Sequence, residues 1–97
     1  MAVRHVVLFD MSLEADDPKA HEIIGKLNAL PLHIDEIKTW TIQTDLGERD
    51  ASHRYALIAD FDSMDAVNAY LEHPEHVRVV DEAAPFITRL AEHDHEM

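Results

Sequence analysis

Tyr70-Leu71-Glu72-His73-Pro74-Glu75-His76-Val77 sets a tyrosine and two histidines around a proline. Proline has no amide hydrogen to give a helix and pushes the residue before it out of helical geometry, so a helix must break at His73-Pro74. Imidazole changes charge near neutral pH, and a phenol both donates and accepts hydrogen bonds. The same segment therefore holds the side chains of an acid–base site.

Before the break, Asp62-Ser63 offers either residue as a helix cap. Met64, Val67, Ala69, Tyr70 and Leu71 supply the buried side of the helix that follows. After the break, Glu75 to Ala83 reads as a further short helix carrying Val77, Val79 and Val80. Pro85 then opens a last strand through Phe86, Ile87 and Leu90 to about Ala91, and His93-Asp94-His95-Glu96-Met97 reads as a frayed tail. Upstream, His53 to Phe61 alternates as a strand, with Tyr55, Leu57, Ala59 and Phe61 on one face and Ala56, Ile58 and Asp60 on the other. Ile34 to Leu46 alternates in the same way, and the polar turn Gly47 to Ser52 between the two predicts an antiparallel hairpin. Asp17 caps an earlier helix with Pro18 at its first position. Ala20, Ile23, Ile24, Leu27 and Leu30 form its apolar stripe, and Pro31 ends it. The chain begins with a strand from Ala2 to Met11 that is largely apolar on both sides.

The element order is β-α-β-β-α-β, which predicts an α+β, ferredoxin-like fold: an antiparallel four-stranded sheet with the helices on one face. The other face then turns Val6, Leu8 and Ile58 toward water. A bare apolar sheet is rarely tolerated on a monomer, so a second copy is the expected cover, giving an isologous homodimer of face-to-face sheets.

Composition narrows the function classes. The 97 residues suit a single domain over 1–97, and 20 acidic against 8 basic residues give a formal charge of −12. That charge repels phosphate backbones and anionic lipid, so neither nucleic acid nor membrane is an expected partner. The absence of cysteine removes disulfides and thiolate nucleophiles and suits a cytoplasmic protein. No apolar run approaches the roughly 20 residues of a membrane span, and residues 1–11 read as a strand, not a signal peptide. With Gly25 and Gly47 as the only glycines, a phosphate-cradling loop is ruled out in practice, and no cofactor is expected.

Three blocks, in order, carry a likeness to a known family. Arg4-His5-Val6-Val7-Leu8-Phe9, Ala59-Asp60-Phe61-Asp62-Ser63 and Ala69-Tyr70-Leu71-Glu72-His73-Pro74-Glu75-His76-Val77 resemble the stress-responsive A/B barrel (Dabb) domain. The resemblance implies a dimeric α/β barrel, in agreement with the pattern argument. It implies no single reaction. Plant members are associated with stress, and the family includes polyketide cyclase activity of the aldol type, with a histidine and a tyrosine in a pocket between sheet and helices. The matching positions are His5, Tyr70 and His76.

An aldol-type closure needs a base beside a carbonyl and a donor for the oxyanion that forms. His76 would be the base, Tyr70 its orienting partner or the oxyanion donor, and His5 a substrate-binding group. Phe9, Ile23, Leu57 and Ile87 are the expected pocket walls. The structural alternative is that His76 pins the segment after Pro74, Tyr70 packs in the core and His5 bonds a neighbouring carbonyl. The expected role is therefore the binding of a small hydrophobic or aromatic molecule, with catalysis or a purely assembling role as alternatives. His73 and His76 are three apart, a helical spacing for a metal, and Asp81 and Glu82 are near. No third ligand is fixed, and no metal is expected. Trp40 reads as a sheet or interface residue, Met11 and Met64 as core, and Ser63 as a cap.

Overall fold

A computed structural model describes residues 1–97 as β1 (Val3–Met11), α1 (Pro18–Asn28), β2 (Thr39–Thr44), β3 (Tyr55–Phe61), α2 (Met64–Glu72), α3 (Pro74–Ala83) and β4 (Ile87–Glu96). Single 3-10 turns lie at Leu30–Leu32 and Ala84–Phe86. The strands form one four-stranded sheet in the order β2-β3-β1-β4, every pairing antiparallel. With the three helices on one side, this is the expected ferredoxin-like α+β arrangement.

β1 is interior to the sheet and shows why the two faces differ. Val3, His5, Val7, Phe9 and Met11 are buried, while Arg4, Val6, Leu8 and Asp10 are half-buried. β3 repeats the alternation, with Tyr55, Leu57, Ala59 and Phe61 buried and Ala56, Ile58 and Asp60 half-buried. The buried set meets Ala20, Ile23 and Leu27 of α1, Val67 and Tyr70 of α2, and Val79 and Ala83 of α3. Each large apolar side chain so buried contributes roughly 1.5–3 kcal/mol. Leu8 and Ile58 stay on the open face.

The helix starts follow the sequence. Asp17 Oδ1 accepts from the Lys19 amide at 2.8 Å, with Pro18 next in line. Ser63 is the residue that caps α2, its Oγ accepting from the Ala66 amide at 3.1 Å.

Five expectations are corrected, the first being the start of the last strand, which opens at Ile87 instead of Pro85 because Ala84–Phe86 is a 3-10 turn. Strand β2 begins at Thr39 instead of Ile34, because Pro31 lies in a 3-10 turn, Leu30–Leu32, whose backbone carries on through Ile34 N–H to Leu30 O and Ile37 N–H to Ile34 O. The turn drives Leu30 and Ile34 into the core. β3 begins at Tyr55, since the Arg54 amide is taken by Asp10 Oδ1 at 2.8 Å. Met64 is 43% exposed, and Ala69 is exposed too; Ala66 packs against the core instead. The largest correction is the tail: β4 runs to Glu96, pairs along β1 as far as Val3, and the Met97 amide donates to Ala2 O at 3.0 Å. β1 needs a partner on both edges, and a polar strand suffices because β4 is exposed over almost all its length.

Candidate functional site

The break at Pro74 builds the site. In an unbroken helix the carbonyls of Tyr70 and Leu71 would accept from residues 74 and 75. Pro74 has no amide hydrogen, and Tyr70 O accepts instead from the His73 amide at 3.1 Å. The Glu75 amide is diverted to His73 Nδ1 at 3.1 Å, so His73 is the cap of α3. That leaves the Leu71 carbonyl, which accepts from His76 Nδ1 at 3.0 Å. A hydrogen on Nδ1 puts the lone pair of the neutral ring on Nε2. His76 therefore both pins the segment and keeps a basic nitrogen. Burial holds its pKa below the usual histidine value, with the Leu71 hydrogen bond and the Glu92 charge opposing.

Tyr70 is fully buried at the end of α2, its ring centroid 4.5 Å from that of His76. Phe61 packs on it at 5.1 Å, and Trp40 meets it edge-on at 6.1 Å. Trp40 is itself held by Nε1–H to Asn28 Oδ1 at 2.9 Å, tying β2 to the end of α1. Burial, helped by the negative charge of Glu92, raises the Tyr70 pKa well above the ordinary phenol value. The hydroxyl stays protonated at neutral pH and so keeps a hydrogen to donate.

His5 is the one buried polar residue of the chain, 2% exposed, and its ring stands edge-on to Tyr70 at 6.0 Å. A buried imidazole needs a partner. Asp94, opposite it on β4, accepts from Nδ1 at 2.7 Å. That partner lies in the segment the sequence suggested was frayed.

These three side chains lie on one cavity of about 400 Å³ between α3 and the β1–β4 side of the sheet. Eleven of its fourteen wall residues are hydrophobic, and the other three are His5, His76 and Glu92. Phe9, Leu57 and Ile87 are on the wall as expected. Ile23 is not: it is sealed into the core at 1% exposure, and Leu27, one turn further along α1, reaches the cavity in its place. Leu90 is 54% exposed and Val80 41%, so the cavity opens to solvent between α3 and β4. Glu92 and Asp94 are functional candidates that sequence reasoning missed. Their signal was an alternation of charge, not of hydrophobicity.

The histidine pair weighed for a metal does other work, since His73 caps α3 and His76 bonds Leu71. Asp81 is exposed, and Glu82 is held by Lys19 and Lys26 at 2.8 Å each, which depresses its pKa to about 2. No helix is long and apolar enough to cross a membrane.

Comparison with known proteins agrees with this architecture. A stress-response A/B barrel domain-containing protein of Arabidopsis thaliana is 33% identical over 84 residues, 84% of this chain. The aligned part is 31% of the plant protein, so the chain spans about a third of its length. A dimeric ferredoxin-like protein of unknown function from Thermobifida fusca superposes with a TM-score of 0.86 at 28% identity, covering 100% of this chain and 92% of that one. The hydroxynitrile lyase of Passiflora edulis shares the fold with a TM-score of 0.86 at 21% identity, over 97% of this chain and 91% of its own. The profile of the Stress Responsive A/B Barrel Domain family matches residues 3–97, from the first residue of β1 to beyond the last of β4. With all three motif blocks inside that span, the chain belongs to the stress-responsive A/B barrel domain family.

Proposed function

We propose that this chain is a cytoplasmic homodimer that binds a small, largely apolar molecule in the cavity between α3 and the β1–β4 side of the sheet, in a stress-related or housekeeping role. The observation that carries the reading is the make-up of the cavity: a hydrophobic wall with His5, Tyr70 and His76 on it. Small-molecule sites combine an apolar wall with a few placed polar groups in this way. The dimer is supported by the uncovered sheet face and by the dimeric relative from Thermobifida fusca.

A thermal-shift screen with small aromatic alcohols, ketones and phenols tests the binding. A ligand at about a hundred times its Kd stabilises by roughly 2.7 kcal/mol, a rise of well over 5 °C for a chain this size. His76→Ala and Tyr70→Phe should each weaken the effect. A screen without a hit, or hits unaffected by both substitutions, contradicts the reading.

Proton transfer at the same site is a second reading, and the hydrogen bond from His76 to Leu71 favours it. Nε2 takes a proton from carbon beside a substrate carbonyl, and the Tyr70 hydroxyl donates to the oxyanion. That a protein of this fold is a hydroxynitrile lyase supports a catalytic role on such a scaffold. His76→Ala should slow turnover of an accepted carbonyl compound by about 10²–10⁴-fold. Unchanged turnover sinks the catalytic reading and leaves binding in place.

A further inference from the structure

Glu92 is a carboxylate on the wall of an apolar cavity. In the β1–β4 register it stands opposite Val7, on the helix-facing side of the sheet, and it shares the cavity with His5, Tyr70 and His76. Its charge acts on both Tyr70 and His76. Some carboxylates of the chain have partners: Asp60 has Arg4, Asp10 has Arg89, Glu82 has Lys19 and Lys26, and Asp94 has His5. Glu92 enters none of the ion pairs within the chain.

One of the hydrogen-bonding groups that share its cavity is a fixed acceptor. His76 Nδ1–H is spent on Leu71 O, so Nε2 accepts. His5 Nδ1–H is likewise spent, on Asp94 Oδ1. The Tyr70 hydroxyl and the His76 acceptor thus share the cavity with a carboxylate that has no cation beside it. A complementary ligand must bring donors, and an ammonium brings three together with the opposite charge. The formal charge of −12 draws cations toward the cavity and turns anions away.

We propose that Glu92 makes this cavity selective for small apolar amines, whose hydrophobic body lies on Val7, Phe9, Leu57 and Leu90 while the protonated amine faces the carboxylate, and that it rejects carboxylic acids of the same shape. The inference rests on the cavity being a binding site, as proposed above.

Three probes with one body and different heads test it: phenylpropylamine, phenylpropanol and phenylpropanoate, with Kd read by NMR titration at neutral pH. The wild-type protein should bind the amine at least about ten-fold tighter than the acid, the ratio one moderately screened charge pair produces. Glu92→Gln, which keeps the shape of an exposed side chain and removes its charge, should collapse that ratio and leave the alcohol unaffected. Glu96→Gln, on the same face of the strand but off the cavity, should keep the ratio, which separates Glu92 from the net charge of the protein. An alcohol that binds while amine and acid bind alike, or a preference that survives Glu92→Gln, overturns the selectivity and spares the cavity. Failure of all three probes to bind overturns both.

Discussion

His76 owes its place to an amide that is missing one residue after His73. Pro74 leaves the end of α2 short of donors, His73 takes the Glu75 amide, and Leu71 O is left for His76 Nδ1. The break at Pro74 and a His76 that pins the segment after it were legible in the sequence, because proline acts locally; the His73 cap was not, since that residue was weighed only as a metal ligand. Asp94 and Glu92 were not legible, because nothing local says that one meets His5 and the other lines the cavity; only pairing with β1 puts them there. A consequence follows for pH. Burial lowers the folded-state pKa of His76, so the unfolded chain takes up the proton more readily. The contribution of His76 to stability is complete above about pH 6.5, the unfolded value, and falls as pH drops from there toward the folded pKa. An NMR titration of the His76 ring protons should give a midpoint below that of an unfolded histidine; one at or above it contradicts the buried, neutral ring.

β4 is the element that sequence pattern could not find. Residues 92–96 put Glu92, Asp94 and Glu96 on one face and His93 and His95 on the other, so neither face shows the apolar alternation that marks a strand. What makes it a strand is the unpaired edge of β1. The reverse happened at β2, where the apolar Ile34 and Ile37 suggest an earlier strand start while the 3-10 turn at Leu30–Leu32 and the bonds that follow it hold their backbone. The caps Asp17 and Ser63, by contrast, act within three residues and were readable from the sequence. Deleting residues 92–97 tests the weight of β4. It removes the ladder partners of Val3 to Val7 and strips Asp94 from His5. With net hydrogen bonds worth about 0.5–1.5 kcal/mol each, the loss of several should lower Tm by more than about 10 °C. A truncated chain that melts within a few degrees of the full one contradicts the pairing.

For the molecule as a whole, the two faces of the sheet divide the work. The helix-covered face holds the core and the cavity; the open face presents Val6, Leu8 and Ile58, half-buried and without a helix over them. Strand alternation made this division readable in the sequence, since a period of two sends neighbours to opposite faces. The cavity was not readable, because its volume depends on how far α3 stands off β4. If the open face is the dimer interface, light scattering should give twice the chain mass, and Leu8→Asp, which buries a charge there, should give a folded monomer. A wild-type monomer at micromolar concentration, or a dimer unmoved by the substitution, contradicts that assembly. On the proposed function, a small molecule sits in the apolar cavity beside His76 and Tyr70. Intermolecular NOEs between phenylpropanol and isotope-labelled protein decide the matter: contacts to the rings of Tyr70 and His76 and to the methyls of Val7 and Leu90 are expected, whereas saturable binding with contacts confined to Val6 and Leu8, or to any surface away from the cavity, would refute it.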